Sequence, residues 1–486
     1  MTRFAYCVLF AGALLPLAGS AGAETGEAPS ERMTLDECIQ FALEHSPLLD
    51  ESRAAVALME ARKLQADWAW FPKLKIDTIF TGPTSEASLA VVPFTDVESG
   101  RSGVSNDPRV TGSVKLSDTS GDGELDYGEG DYGVMWRFGV EATIPVYTFG
   151  KIASLQDAAE HGLETSIARS EMRRLQLIRD VRKVFFGYQA ARSINSVLDK
   201  GAGKLEEAEQ RVRDSLDEDE DTYQETDLFK LRVYGSEVHA RRAQTRKEMA
   251  VALEGMKVLI GWPQDRALEL VKQDLPEDEA VLRELDQMLG VTRKDHPAAR
   301  ALKSGFDAIE DMVSLRISEF FPDLYLAGGF NYSVDTAAQD ISHPYLYDRR
   351  NYKGVGVLLG LRWKLDIPYR VGRLYEAQAE RDKIAARRRT ALEGLSFKVK
   401  ESYLEVRQTA DALTAYRKAR KAGRSWLVSA TLNWGVGTLE AGDFIDAIKA
   451  YSVGEIAFTK ALLDYRSALA ELSSRVGREV GAQPEG

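Results

Sequence analysis

The feature that most constrains the fold of this chain is an internal repeat. The segment HSPLLDESRAAVALMEARKLQADWAWFPKLKI aligns with the later segment DHPAARALKSGFDAIEDMVSLRISEFFPDLYL. Pro47 aligns with Pro297 and Pro72 with Pro322, each pair separated by 250 residues. Because self-similarity at a fixed spacing is typical of a repeated structural unit, we expect two copies of one strand–helix unit.

The repeat and the strand and helix patterns predict the organisation of the chain. We expect a signal peptide over 1–23, a first unit over 24–262, a second over 263–477 and a tail over 478–486. The predicted helices are 34–70, 149–215, 225–260, 280–320, 371–430 and 441–476. The predicted strands are 73–81, 133–147, 323–332 and 354–367, and a long external loop covers 82–132.

The N-terminal segment predicts export. Arg3 precedes the apolar run Phe4–Leu17, and Ala21 and Ala23 form an A-x-A cleavage pattern. A charged start, a short apolar run and small residues at the end are typical of a secretory signal peptide. Cys38 is the one cysteine after this segment, which excludes an intramolecular disulfide in the mature chain. The net charge of −12 disfavours a nucleic-acid partner.

Two long stretches lack proline, 146–262 and 369–483. Proline costs about 3 kcal/mol inside a helix, so its absence favours very long helices. The last helix also carries a heptad pattern, which predicts coiled-coil packing with one polar interruption at Glu455. The residues of this heptad seam are Phe444, Ile448, Tyr451, Glu455, Phe458, Leu462, Tyr465, Leu469 and Leu472.

The segments between the helices alternate instead. In GVMWRFGVEATIPV the even positions from Val134 to Ile144 are mostly large and apolar, and polar residues occupy odd positions. GVGVLLGLRWKLDI repeats the alternation with apolar residues at odd positions from Val355 to Leu365. A period of two predicts strands with one apolar face. Strands of this length suit a membrane barrel, and a soluble β-sandwich is the alternative. Four strands cannot close a barrel with a lumen, so a barrel requires several chains.

Several motifs resemble those of the TolC-like outer membrane efflux proteins, the outer membrane factor family. They are MTLDECIQFALEHSPLLDESRAAVALMEARKLQADWAWFPKLKI, IPVYTFGKI, YLEVRQTADAL and WGVGTLEAGDFIDAIKAY. The resemblance implies an α+β homotrimer in which four strands per chain build one 12-stranded barrel and the helices build a coiled-coil tunnel. It places the protein in the outer membrane, extending into the periplasm, with a periplasmic adaptor and an inner membrane transporter as partners. The implied function is a passive exit duct for efflux or type I secretion, with no enzymatic activity.

The resemblance also implies two groups of functional residues at the periplasmic end. Asp443 and Asp446 match the carboxylates that narrow the aperture, where three chains would form rings that favour cations. Helix capping is the alternative role for Asp443. Thr226 and Asp227 match one side of a gate latch, and Trp434 occupies the place of the family's tyrosine on the other side. Leu439 replaces the family's arginine there, so the latch is expected to differ in this chain.

The external loop contains DTSGDGELDYGE, which matches a twelve-residue calcium-binding loop. No cofactor is required by the implied function, but Ca²⁺ is expected to stabilise this loop; a solvated acidic turn is the alternative. The matching ligand positions are Asp118, Ser120, Asp122, Glu124, Asp126 and Glu129.

Other functions remain as alternatives at this point. An exported structural or adhesive coiled-coil protein with a β-sandwich head also fits long helices and short strands. A periplasmic adaptor has helical hairpins but does not repeat a strand–helix unit. An enzyme fits least, because the five histidines have no metal-ligand spacing and no nucleophile motif is present.

Overall fold

The computed structural model describes residues 31–84, 95–96, 101–102, 133–218, 223–338, 348 and 350–480. Over these residues the chain forms eight α-helices and eight strands. The helices are α1 (Leu35–His45), α2 (Pro47–Asp67), α3 (Lys151–Asp217), α4 (Glu225–Ile260), α5 (Leu285–Asp295), α6 (Pro297–Ser318), α7 (Ile367–Gly435) and α8 (Ala441–Val476). The strands are β1 (Glu31–Met33), β2 (Lys73–Thr84), β3 (Thr95–Asp96), β4 (Arg101–Ser102), β5 (Gly133–Tyr147), β6 (Leu268–Leu270), β7 (Asp323–Asp335) and β8 (Tyr352–Arg362).

Two predicted helices are each divided in the structure. The segment 34–70 forms α1 and α2 with a break at Ser46, and 280–320 forms α5 and α6 with a break at His296. Both breaks precede a proline, Pro47 or Pro297, which lacks an N–H and restricts the residue before it to extended backbone. Ser46 and His296 have ψ angles of 125° and 135° accordingly. The prediction of one continuous helix in each place was wrong for this reason.

The other elements differ from their predicted bounds mainly at their ends. β8 ends at Arg362 rather than at 367, and α7 begins at Ile367, earlier than predicted. Pro368 is tolerated because it lies in the first turn, where no intrahelical N–H bond is needed. The helices α3 and α7 are long, with 67 and 69 residues.

The chain divides into two compact units. The sheet unit comprises Leu48–Arg179, Glu279–Ala410 and Ala468–Gly486, and the helical unit comprises the chain up to Pro47, Asp180–Asp278 and Asp411–Ser467.

In the sheet unit, four antiparallel strands pair in the order β2-β5-β7-β8. Their register aligns the apolar positions: Ile76 pairs with Val140, which pairs with Phe330, which pairs with Val355. Directly opposite residues of an antiparallel sheet share a face. The other face carries polar rows, such as Lys75 beside Glu141. The alternation predicted from the sequence is therefore confirmed as one apolar and one polar face.

In the helical unit, a large buried core joins four helices. Its residues come from α3, α4, α7 and α8, and the most completely buried include Val212, Leu231 and Ile448. A short parallel pair, β1 with β6, lies in the same unit. The C-terminal end of α7 and the start of α8 both belong to this core, which positions the segment that carries the predicted aperture residues.

Over the described residues, none of the helices combines the length and the apolar character that crossing a membrane requires.

Candidate functional site

The apolar face of the sheet is largely exposed to solvent in the single chain. Phe80 on β2 is 70% exposed, and Val355 and Val357 on β8 are 83% and 74% exposed. Large apolar side chains at such exposure, on neighbouring strands of one sheet, form a contiguous apolar surface. A surface of this kind marks a place where the protein contacts another protein or a membrane.

Aromatic residues cluster where the strands meet the helices. Trp68, Trp70 and Phe71 follow α2, Tyr147 ends β5 and Phe149 lies just after it. All five side chains are more than one third exposed. Phe149 stacks on Phe321 with ring centroids 5.6 Å apart. Aromatic rings with one apolar and one polar side are enriched at membrane–water boundaries.

Side chains at these junctions bind the backbone around the second Phe-Pro step, Phe321-Pro322. Lys151 Nζ donates a hydrogen bond of 2.8 Å to the Phe321 carbonyl and forms an ion pair of 2.6 Å with Asp323. Trp363 Nε1 donates to the Phe320 carbonyl at 3.0 Å. The start of α3 and the residue that follows β8 are therefore both bound to the end of the α6–β7 connection and the start of β7.

Asp443 and Asp446 lie in the first two turns of α8, on its exposed side. The opposite side of the same turns, with Phe444, Ile445 and Ile448, is buried in the core of the helical unit. Asp446 lies 3.7 Å from Lys449, and its side chain is 63% exposed. Both carboxylates are therefore free to face a neighbouring chain or a lumen, although Asp443 also has the favourable helix-dipole position that the capping alternative requires.

Thr226 and Asp227 lie in the first turn of α4. The Asp227 carboxylate accepts a hydrogen bond from the backbone N–H of Gln224 at 3.2 Å and forms an ion pair of 3.1 Å with Lys230. Thr226 is exposed, and its hydroxyl donates weakly to the Gln224 side chain at 3.4 Å. Asp227 thus caps the start of its own helix in the single chain.

Trp434, near the end of α7, is buried rather than exposed. Its ring stacks on Phe444 of α8, with centroids 4.9 Å apart and planes at 9°, and it packs at a tilt against Tyr223 at 4.6 Å. Only 4% of Trp434 is exposed. The latch role of Trp434 stays a prediction, but in the single chain the ring packs into the core that holds α4, α7 and α8 together.

The structure adds two polar groups that the sequence analysis did not identify. Arg211 donates to the Trp434 carbonyl at 3.3 Å, and the Tyr223 hydroxyl lies 3.5 Å from the same oxygen. Burial raises the pKa of Tyr223, and the nearby Asp227 charge acts in the same direction. Tyr223 could have been noticed as the one aromatic residue between Tyr188 and Phe229. No sequence pattern distinguishes Arg211, because α3 contains many other charged residues.

The loop from α7 to α8 depends on a left-handed glycine. Gly437 has φ of 73°, and its N–H donates to the Trp434 carbonyl at 3.1 Å. Glycine adopts this conformation without steric cost and commonly ends a helix. Leu439 packs against the core of the helical unit. It occupies the position at which the TolC-like family has arginine. The chain therefore reverses direction just before Asp443.

The predicted calcium ligands from Asp118 to Glu129 lie outside the described residues, so calcium binding stays a prediction. Within the part of the chain that the structure describes, no three His, Cys, Asp or Glu side chains are grouped to hold a metal ion.

Comparison with known proteins identifies the family. Residues 38–218 and 289–478 match the family model "Outer membrane efflux protein". Among solved structures, the open state of the MtrE outer membrane channel of Neisseria gonorrhoeae superimposes with a TM-score of 0.69 at 16% identity, covering 93% of this chain and 91% of that chain. The outer membrane protein VceC of Vibrio cholerae superimposes with a TM-score of 0.67 at 15% identity, and the match covers 91% of this chain and 96% of that chain. The CmeC outer membrane channel of Campylobacter jejuni superimposes with a TM-score of 0.67 at 13% identity, and the match covers 99% of this chain and 96% of that chain.

No curated protein sequence matches the chain significantly. The structural likenesses establish a shared fold, and the family match covers well over half of the residues. The chain therefore belongs to the outer membrane efflux protein family.

Proposed function

We propose that three copies of this chain form an outer membrane channel, in which four strands per chain build a 12-stranded barrel and the helices build a periplasmic tunnel. The observation that carries the proposal is the exposed apolar face of the four-stranded sheet. Val355, Val357, Leu359 and Leu361 of β8 are all more than 60% exposed. At about 25 cal/mol per Å² of apolar surface removed from water, transfer of this face into lipid is strongly favourable.

The sheet edges support assembly from several chains. β2 and β8 lie at the two ends of the strand order, so each has one side of its backbone without a strand partner in the described chain. Unpaired N–H and C=O groups cannot face lipid without a cost of several kcal/mol each. Pairing β2 of one chain with β8 of the next removes both edges, and repetition closes the barrel.

The exposed faces favour the channel over an adhesive protein with a β-sandwich head. A sandwich buries one face of each sheet against a second sheet. Here no second sheet of described residues covers the apolar face, whose large side chains are exposed, and aromatic residues flank it at the helix junctions. Lipid on this face, with the aromatic residues at its boundary, accounts for both features.

The duct itself acts as a passive conduit and catalyses no reaction. Efflux of small molecules, or type I secretion of proteins, requires energy from an inner membrane transporter, linked through a periplasmic adaptor. Both partners are implied by the resemblance to the TolC-like family.

At the periplasmic end, Asp443 and Asp446 of three chains form rings of carboxylates that select cations and bind divalent ions. Their exposure, on the side of α8 opposite its buried seam, supports this role. Thr226 and Asp227 form the acceptor side of the gate latch. Because Leu439 supplies no hydrogen-bond donor from its side chain, the closed state is held by fewer polar bonds.

Single-channel recording of the purified protein in a planar bilayer tests the proposal. We expect discrete, cation-selective steps that divalent ions suppress from the periplasmic side. Current steps that divalent ions do not suppress would support the channel but contradict the proposed carboxylate rings. Folded protein that neither inserts nor conducts would contradict the proposed function and favour the structural coiled-coil alternative.

A further inference from the structure

The polar face of the four-stranded sheet holds several basic residues without acidic partners. The strand register places Lys75, Glu141 and Gly329 in one row of this face, and Tyr325 opposite Gly360 in another. The acidic residues of the same face are mostly neutralised by ion pairs, and Glu141 is the one outside such a pair within the described strands. The pairs are Asp77 with Lys75 at 2.7 Å, Asp323 with Lys151 at 2.6 Å and Asp335 with Arg350 at 3.4 Å.

Three unpaired basic residues lie at the end of the sheet that joins the helices. Lys73 begins β2, Arg362 ends β8, and Lys364 continues the polar positions of β8 toward α7. All three residues are exposed. None of them forms an ion pair with a residue that the structure describes, so their charges are not neutralised within the chain.

Arg362 is positioned by an aromatic ring instead of a carboxylate. Its guanidinium carbon lies 4.7 Å from the centre of the Tyr325 ring, a cation–π contact. Tyr325 lies opposite Gly360, and a Cβ on Gly360 would lie 2.5 Å from the ring carbon Cζ, so glycine is required for the ring to cover β8. Asp323, which lies opposite Arg362 in the register, is paired with Lys151. The arrangement therefore holds the Arg362 charge in place without neutralising it.

The chain between Arg362 and Lys364 is fixed as well. Trp363, which separates them, donates from Nε1 to the Phe320 carbonyl at 3.0 Å. Asp366, the acidic residue that follows Lys364, is already bound by Arg370 at 3.0 Å. Two exposed cations therefore lie on an anchored segment whose neighbouring carboxylate has another partner.

We propose that Lys73, Arg362 and Lys364 of the three chains form a basic belt in the barrel lumen, which binds anionic groups of the cargo. The inference rests on the proposed function, because the polar face becomes a lumen only when three copies close the barrel with their apolar faces toward lipid. β2 and β8 are the two edge strands, so closure brings basic residues of both edges to one seam. A cavity lined by charges of one sign concentrates ions of the opposite sign. The basic belt therefore favours organic anions, and the Tyr325 ring adds an aromatic surface for them.

Binding of pyrenetetrasulfonate, a fluorescent aromatic anion, to the purified full chain tests the basic belt. Fluorescence anisotropy measures binding directly, so cation selectivity at the aperture does not affect the readout. We expect binding that weakens as salt rises, because salt screens exposed charges. The double variant Arg362→Gln and Lys364→Gln should raise the dissociation constant by about tenfold or more, which corresponds to about 1.4 kcal/mol. Exchanging the two residues, Arg362→Lys with Lys364→Arg, keeps both charges and should change the dissociation constant by less than about threefold.

The matched control removes two basic residues outside the polar face of the sheet. Lys353 lies opposite Tyr332 on the apolar face of β8, and Lys383 lies on α7. Both residues are exposed. Lys353→Gln with Lys383→Gln should therefore leave the binding of pyrenetetrasulfonate unchanged.

Three outcomes would contradict the basic belt. They are no binding of the anion by the wild type, equal losses in the two glutamine double variants, and loss of binding in the charge-conserving exchange. Single-channel currents of the same preparations separate the belt from the proposed function: conducting protein that does not bind the anion retains the channel and loses the belt. Folded protein that neither conducts nor binds the anion overturns both.

Discussion

The indole ring of Trp434 stacks on the ring of Phe444, with centroids 4.9 Å apart and planes within 9° of parallel. The pair joins the last turns of α7 to the first turns of α8, directly beside the exposed carboxylate of Asp443. Packing of one aromatic ring therefore sets the position of the helix that carries the predicted aperture.

Replacing Trp434 by alanine should destabilise the helical unit. Deleting a fully buried aromatic side chain costs about 3 to 5 kcal/mol, and here it also exposes Tyr223 and Phe444. Chemical unfolding followed by far-UV circular dichroism measures the loss. Trp426→Ala, at a position on the same helix that is 51% exposed, is the matched control and should cost about 1 kcal/mol or less. Equal losses in the two variants would contradict the packing role of Trp434.

Neutralising the aperture carboxylates should change conduction without changing the fold. In the double variant Asp443→Asn and Asp446→Asn, we expect reduced cation selectivity and loss of divalent suppression in single-channel recordings. Both side chains are exposed, so loss of the helix-dipole interaction of Asp443 and of the Asp446–Lys449 pair should lower the unfolding free energy by only about 1 kcal/mol or less. Asp464→Asn removes an exposed carboxylate farther along α8 and serves as the control. Unchanged selectivity and unchanged divalent block in the double variant would leave Asp443 with a capping role only.

His296 should make the stability of the chain depend on pH. It is 6% exposed, its Nδ1 accepts a hydrogen bond from the Ala298 N–H at 3.0 Å, and its Nε2–H therefore donates to the Ser474 carbonyl at 3.2 Å. Burial lowers the pKa of His296, and the charge of Arg475 acts in the same direction. As pH falls below 6.5, the ordinary pKa of histidine, His296 takes up a proton in the unfolded chain at a higher pH than it does in the folded chain. The free energy of unfolding then decreases, by at most about 1.4 kcal/mol per pH unit.

His296→Asn keeps a hydrogen-bond acceptor at the helix start and cannot titrate. We expect its unfolding free energy to fall less than that of the wild type between about pH 7.5 and about pH 5.5. His161, whose pKa is raised by its bond to Asp311, contributes with the opposite sign but equally in both proteins. His239→Asn, at an exposed position, is the control. The same pH dependence in the wild type and in His296→Asn would contradict the prediction.

Cys38 should be unreactive in the folded protein. Its side chain is completely buried, and burial, together with the charge of Glu37, raises the pKa of its thiol to about 12. Thiol reagents react with the thiolate, so we expect no labelling by a chromogenic disulfide near neutral pH and full labelling in denaturant. Thr438→Cys, in the exposed turn before α8, should react readily without denaturant. Rapid labelling of Cys38 in the native wild-type protein would show that α1 opens readily.

The sequence determined the features that depend on periodicity and on proline. Alternation of apolar and polar residues identified β5 and both faces of the sheet, because successive strand side chains point to opposite faces. The heptad seam from Phe444 to Leu472 identified α8, since residues three and four apart share one side of a helix. Periodicity alone did not predict the breaks at Ser46 and His296, which arise because Pro47 and Pro297 restrict the residue before them to extended backbone.

The tertiary structure alone decided which side chains meet. The burial of Trp434 between Tyr223 and Phe444, and the ion pair of Glu455 with Arg424, join residues that are separated by up to 211 positions. A periodic pattern states which side of an element is apolar, but contacts between elements depend on how closely their backbones approach. At Glu455 the sequence showed only an interruption of an apolar seam, and the close packing of α7 on α8 at Gly423 and Gly454 determined what that carboxylate binds.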